Sequence, residues 1–568
     1  IEQSRWLYIE KDDQNSYPPH ICVASDVFSN VVSAYISEEW SDDEADVLRR
    51  YFTNLDQPVF ALVNLPEVVK GALFARYSRS AKSLRRLFLD EFLGDLDIEG
   101  DQTIDATIGL EHAETLYHRI FFEYGDDSVA QLGGVHLACE QASNLLTKVL
   151  EWGRLMSYLE QSTRYISYDS RLGGRYRYYR DPEILNSSFG TRYVGDMDRI
   201  FDIYSELVPP LQDFVRESFP KHPDDSDFVY RQAVKAKAFD AVRGLLPAAA
   251  LSNVGIYGTG QAYEALLLRM RAHPLPESRM YADLMLGELR KVIPSFLERV
   301  DLEDRGVVWS QYLENSREDT RDVVEALLPE GTSIDPAPVV RLVDFDPEGE
   351  NKMIASMMYA HTNLPEEQLQ RRVSAMNTED KMAIVRAYVG DRTNRRHKPG
   401  RALERPFYRF DVLVDYGAFR DLQRHRMLTM EWQPLSPTHG YTRPELVDAA
   451  GMTRAFDEVM ERSASLYDAL LEDFPDQASY AVSLAYKIRF NVNINARSAM
   501  HLIELRTTPQ GHPSYREVGQ EMYRLIKEEA GHHLVAEMMK FVDLTDETDL
   551  ERLASERRAE QKRGSSPQ

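Results

Sequence analysis

Apolar positions begin twice along the chain. The first beginning, Val59-Phe60-Ala61-Leu62-Val63, follows a polar and acidic lead-in over residues 1–57, and its unbroken apolar run predicts a buried strand. Leu65-Pro66-Glu67 then opens a helix through Ala75, with Pro66 at a favoured early position, and a basic helical run, Lys82 to Arg86, leads into Leu87-Phe88-Leu89. Phe121-Phe122-Glu123-Tyr124-Gly125-Asp126-Asp127-Ser128 reads as a helix-end glycine followed by a cap, then a short extended piece and a helix up to about Arg154. The uncharged stretch Gly244 to Tyr263 contains Pro247, Ser252, Asn253 and four glycines, so it predicts a buried element and not a membrane span. Leu284, Met285, Leu289, Val292, Ile293 and Phe296 form a helical stripe whose plain meaning is core packing.

Residues 301–337 run through Pro329-Glu330-Gly331-Thr332 to Pro336-Ala337-Pro338 and look like a junction. Beyond it the pattern restarts with a strand, Val339-Val340-Arg341-Leu342-Val343. Phe407 to Val414 alternates apolar and polar residues as a half-buried strand does, and predicts a following helix holding Arg424-His425-Arg426. An amphipathic helix, Tyr515 to Val542, closes this half, and Glu551 to Gln568 read as a mobile charged tail. The expected organisation is an extension over 1–57, a domain over 58–300, a linker over 301–337, a domain over 338–548 and a tail over 549–568. At 568 residues, two or more domains are expected on size alone.

Composition narrows the partners. With 67 basic and 92 acidic residues the chain carries a formal charge of −25, which repels polymeric nucleic acid and anionic membranes over most of the surface. A small anion remains bindable wherever arginines cluster. The two cysteines, Cys22 and Cys139, lack disulfide or metal-ligand spacing and fit a reducing cytoplasm, and no basic-then-apolar leader opens the sequence. His512, His532 and His533 lack the His-Glu-x-x-His pattern of a metal enzyme, so no metal is expected.

Five arginine-bearing segments give the picture its chemistry. Arg154-Leu155-Met156-Ser157-Tyr158-Leu159-Glu160-Gln161-Ser162-Thr163-Arg164-Tyr165 contains Glu-x-Ser-x-Arg-Tyr, preceded by Trp152-Gly153. The second half has Arg424-His425-Arg426, with Pro434 eight residues beyond Arg426, and Asn495-Ala496-Arg497 opening a helix that ends Leu505-Arg506. The first half has Arg243-Gly244-Leu245-Leu246-Pro247; Gly260 to Arg271 stands where the second half has Asn495 to Arg506.

These motifs resemble the signature of flavin-dependent thymidylate synthases, Arg-His-Arg followed after seven residues by Ser, with a downstream Asn-x-Arg helix and an upstream Arg with Leu-Pro. Each half keeps what the other has lost. The resemblance implies two tandem α+β domains, each a small sheet packed with long helices, and one site composed from both. It implies that the second half binds FAD through Arg424, His425, Arg426, Asn495, Arg497, His501 and Glu404, with Arg506 as the catalytic cation beside the uracil. The first half would hold the nucleotide through Glu160, Gln161, Ser162, Thr163, Arg164 and Arg243. The implied reaction is reductive methylation of dUMP to dTMP with methylenetetrahydrofolate and NADPH, in a homodimer that mimics the family's tetramer. The reciprocal pairing of Trp152-Gly153 with Pro434 would be a dead site.

Taken singly, each motif has a plainer reading: a basic triplet is usually a solvated face, and Ser162 and Arg164 read equally well as a cap and an ion-pair partner. Departures from the family pattern are Asp421 for Gln, Asp126 for His and His501 for Asn. They leave open a methylase of another uracil-like nucleotide and a non-catalytic binding protein.

Overall fold

In the computed structural model, residues 38–56, 60–77, 82–91, 131–164, 166–223, 225–328, 332–545, 550, 553 and 557 are described. The segment Phe121–Ser128, most of the lead-in and most of the tail lie outside the described residues. Two antiparallel sheets organise the rest. The first contains β1 (Gly134–Ser143), β2 (Ser157–Glu160) and β3 (Leu251–Thr259), in the order β1-β3-β2. The second contains β4 (Val340–Phe345), β5 (Phe407–Asp415), β6 (Thr429–Trp432) and β7 (Lys487–Asn495), in the order β4-β5-β7-β6. The chain thus has the expected α+β class, with the same strand-helix-strand unit in each half.

That unit is built alike in both. In the first half Ser143 caps helix α1 (Asn144–Leu150) by accepting from the Leu146 N–H, a long helical segment follows as α2 (Gly190–Ser218) and α3 (Asp227–Val242), and Thr259 caps α4 (Gly260–Arg271). In the second, Asp415 caps α5 (Tyr416–Leu422), α6 (Thr453–Leu471) follows, and Asn495 caps α7 (Ala496–Arg506). Because caps and strand ends coincide, Trp152 is the counterpart of Arg424 and Glu160 that of Trp432. The same register makes Thr259, not Gly260, the counterpart of Asn495.

The halves meet about an approximate two-fold. Pro247 bridges Ser483; Ala248 N–H donates to the Val482 carbonyl at 2.8 Å and Leu484 N–H to the Leu246 carbonyl at 2.8 Å, each bond the image of the other. Segment 171–226 contributes to this seam, since α2 packs on α6 through Arg462–Asp196 at 2.6 Å and Arg199–Glu458 at 3.3 Å. One continuous core therefore runs from α2 and α3 through the second sheet, while a second core lies between the first sheet, α4 and the helices nearest the N-terminus.

Several expectations need correction. Residues 60–63 form no strand but a single bridge, Leu62 to Phe52, beside a capped helix Asp42–Tyr51 that lies within the expected extension and buries Leu48 and Tyr51. Most of the expected linker is the helix Val308–Leu327, which buries none of its residues. The apolar stripe outlasts its helix, Pro276–Leu289, and leaves Leu284 and Val292 exposed while Met285, Leu289, Ile293 and Phe296 are buried. The closing helix divides into α8 (Pro513–Glu528) and a turn of helix at His533–Met538, because Gly531 adopts a positive φ of 67° that an α-helix cannot contain.

A buried carboxyl crosses the seam. Glu277 accepts from Ser143 N–H at 2.8 Å, from its hydroxyl at 2.6 Å and from the Tyr480 hydroxyl at 2.8 Å, and burial pushes its pKa up to about 7. A folded-state pKa above the unfolded value makes the folded state bind more protons. Stability should therefore fall as pH rises from about 4.5 to 7, by about 3 kcal/mol. Denaturant titrations across that range should show this slope in the wild type and lose it in Glu277→Gln; equal slopes would refute the assignment.

Candidate functional site

The short helices α1 and α5 face each other at the seam, with the Gln423 amide donating to the Lys148 carbonyl at 2.9 Å and the Tyr416 hydroxyl to the Asn144 carbonyl at 3.1 Å. Their C-terminal turns deliver the charged residues. Arg424-His425-Arg426 lies not on the helix, as expected, but in the turn between α5 and β6, since Gln423 already ends the helix. This turn carries the triplet past the helix end, towards the first half.

Glu160, at the end of β2, has no exposed side-chain surface and receives cations from both halves: Arg420 at 2.6 Å, Lys148 at 3.3 Å, and Arg424. Burial alone would raise its carboxyl pKa, but Arg420, Lys148 and Arg424 outweigh burial and hold it well below the usual carboxylate range. Glu160 thus orients Arg424, and the contact expected to face a ligand is spent inside the protein.

Arg164 is similarly occupied. Its guanidinium donates to both carboxylate oxygens of Asp240 at 2.6 Å and to the Tyr515 hydroxyl at 2.9 Å, while the Ser162 hydroxyl accepts from the Arg164 N–H at 3.2 Å. Thr163 is buried behind this loop, and the Gln161 N–H donates to the Asn253 carbonyl at 2.9 Å. Arg243, buried at the end of α3, leaves its Nη2 without a hydrogen-bond partner among the described residues, a costly state for a charged donor unless a ligand meets it.

Arg506 ends α7 and donates through Nε to His425 Nε2 at 2.9 Å and through Nη2 to the Asp421 carbonyl, and its guanidinium lies 5.2 Å from the Tyr515 ring centre. A guanidinium only donates, so Nε2 is unprotonated and neutral His425 carries its proton on Nδ1. Burial and then the Arg506 charge push the His425 pKa well below the ordinary value, in agreement. Asp421, absent from the sequence-based set except as a departure, stands among Arg243, Arg506 and Arg424 at 3.6, 3.7 and 3.8 Å. Burial would raise its carboxyl; Arg506, Arg243 and Arg424 hold it low.

A second cluster lies at the other end of α7. Asn495 spends its side-chain oxygen on the Ser498 N–H at 2.9 Å, and Arg497 donates to the Pro399 carbonyl at 2.9 Å and to Glu404 at 3.4 Å. From Arg497 to Arg506 the helix rises about 14 Å, so only a long ligand touches both clusters. His501 lies between them, its ring centre 5.6 Å from that of His425, its pKa lowered to about 4 by burial and then by Lys398, Arg395 and Arg506. Sequence reasoning missed Arg395 and Lys398, although the basic run from Arg392 to Lys398 was visible; the buried Arg392–Glu504 pair at 2.6 Å ties that loop to α7. Arg426 is exposed and makes no salt bridge among the described residues.

The mirror position differs in kind. Where Arg424 pairs with Glu160, the counterparts Trp152 and Trp432 meet edge-on with ring centres 5.6 Å apart, and Arg269 lies 5.2 Å from the Trp152 ring centre. Gly153 stands at the place of His425, and a Cβ there would come within 2.6 Å of the Tyr158 hydroxyl.

The sequence profile of the thymidylate synthase complementing protein family matches residues 74–295 and again residues 341–531. The chain belongs to that family. The chain is 41% identical over 531 residues to a UPF0159 protein of Chlamydia pneumoniae, covering 92% of this chain and 98% of that one. It is 31% identical over 524 residues to a UPF0159 protein of Thermoplasma acidophilum, covering 87% and 99%. Among solved structures it is similar to the UMP/dUMP methylase PolB of Streptomyces cacaoi bound with 5-Br dUMP, at 15% identity, with a TM-score of 0.28, covering 37% of this chain and 96% of that one. No helix among the described residues is long and apolar enough to cross a membrane.

Removing the Glu160 charge should leave Arg420 buried without its carboxylate, while Lys148 keeps Glu151 at 2.6 Å. Glu160→Gln is expected to lower unfolding free energy by about 3 kcal/mol or more in chemical denaturation. A change within 1 kcal/mol would show that the network contributes little.

Proposed function

We propose that this family member is a flavin-dependent thymidylate synthase with one working site per chain, converting dUMP to dTMP with methylenetetrahydrofolate as carbon donor and NADPH as reductant. The observation that carries this reading is the convergence of Glu160, Arg164 and Arg243 from the first half with Arg424, His425 and Arg506 from the second.

In this reading Arg243 Nη2 and the Ser162 hydroxyl meet the nucleotide phosphate, with Arg164 held in place by Asp240. Arg506, fixed by neutral His425, is a cation positioned to stabilise charge that develops on the pyrimidine when its carbon 5 attacks. The residues along α7 fit a flavin dinucleotide: the span between the clusters asks for a long ligand, and Arg395, Lys398 and Arg426 offer cations to its phosphates. Asn495, Arg497 and Glu404 would shape the site's far end, with His501 between. Bound flavin would supply the hydride. Trp152 and Trp432 fill the mirror position, which we assign as inert. We further assign a homodimer in the cytoplasm, with the exposed Trp309, Tyr312 and Leu327 of the junction helix as an apolar face for association.

The visible absorbance spectrum tests the proposal. Purified wild type is expected to show a flavin spectrum that shifts on adding dUMP, and Arg424→Ala to lose most of its flavin. Protein that is colourless and cannot be loaded with FAD would leave a non-catalytic binding protein as the reading.

A further inference from the structure

Tyr515, in the first turn of α8, touches an arginine from each half. Its hydroxyl accepts from Arg164 Nη1 at 2.9 Å, and its ring centre lies 5.8 Å from the Arg164 guanidinium and 5.2 Å from that of Arg506. Both distances are within the range over which an aromatic ring attracts a cation. The ring itself is fixed. Tyr515 is buried, and the chain at Gly511 packs so closely that a Cβ there would come within 2.8 Å of the ring edge. His512 caps α8 by accepting the Ser514 N–H at Nδ1, which leaves its Nε2 proton for the Asp240 carbonyl at 3.4 Å. The Asp240 carboxylate in turn accepts from Arg164 at 2.6 Å, so the start of α8 and Arg164 are anchored to the same residue of α3.

We propose that Tyr515 is a positioning residue that sets the separation between two cations of the site, holding Arg164 by its hydroxyl and Arg506 by its ring. This rests on the reading of Arg164 as part of a nucleotide's phosphate grip and of Arg506 as the cation beside its base. Asp240 anchors Arg164 and His425 anchors Arg506, each within its own half; Tyr515 joins the two anchors across the seam. A nucleotide carries its phosphate and base at a separation limited by the sugar between them. It therefore binds more tightly to cations already set at one spacing than to cations it must itself order.

Tyr515→Phe removes the hydroxyl and keeps the ring, whereas Tyr515→Leu removes both holds. The full chain, wild type and each variant, is modified with p-hydroxyphenylglyoxal, the rate at each arginine is read by peptide mass spectrometry, and dUMP binding is titrated by calorimetry. In Tyr515→Phe, Arg164 is expected to react about fivefold faster than in wild type, the effect of one lost hydrogen bond, with Arg506 at its wild-type rate. In Tyr515→Leu both should react faster. dUMP is expected to bind about fivefold more weakly to Tyr515→Phe and more weakly still to Tyr515→Leu. Unchanged Arg164 reactivity in Tyr515→Phe, or Arg164 and Arg506 released alike, would make Tyr515 a packing residue and overturn the proposal. Where the wild type binds dUMP, equal affinity in Tyr515→Phe would overturn it too. If the wild type binds no dUMP while Tyr515→Phe releases Arg164 alone, the positioning role stands and the nucleotide reading fails.

Discussion

A carboxylate with no exposed surface, Glu160, is shared by Arg420 and Arg424 from one half of the chain and Lys148 from the other. Burying such a charge is costly unless its cations arrive in place, so the interaction exists only when both halves are folded and seated on the seam. The rest of the site depends on it. The placement of Arg424 beside Asp421 follows from Glu160, Arg506 reaches the backbone of Asp421, and the ring of His425 is fixed by Arg506. The seam hydrogen bonds between segments 244–249 and 480–485 set the register in which these contacts become possible.

The approximate two-fold makes the specialisation of the halves a matter of direct comparison. One position of the pseudo-symmetric pair carries guanidinium and carboxylate; the other carries two indoles. Both solutions satisfy the same packing problem at the tips of α1 and α5, one with charge and one with aromatic surface. The aromatic solution leaves little space for a histidine at Gly153 and sets Arg269 over the Trp152 ring, whereas the ionic one gathers guanidinium groups around Glu160 and Asp421. Duplication lets each half keep one role while the seam keeps both in contact.

How much of this was legible in the sequence depended on the kind of feature. β5 could be read from its alternation because one face is buried, and Asn495 could be found through the Asn-x-Arg motif that opens its helix, although its cap bond to Ser498 could not. The pairing of Glu160 with Arg424 could not, because residues 264 positions apart in sequence meet only through the seam. Asp421 was visible only as a departure, and its significance is three-dimensional: three arginines from separate segments enclose it. The closing helix was drawn too long because its apolar spacing continues past Gly531, where the backbone turns. Residues 60–63 looked like a strand because continuous apolar runs do not say whether a partner strand exists.

The proposed site draws on both halves of one chain. The direct measurement is complementation: differently tagged chains bearing Arg243→Ala, a first-half defect, and Arg506→Ala, a second-half defect, are co-expressed, isolated as mixed assemblies and titrated with dUMP. Both defects fall in separate copies of a site built within a chain, so mixed assemblies should bind dUMP no better than either variant alone. Recovery of wild-type affinity in a fraction of sites would show that the halves combine between chains and would contradict the account.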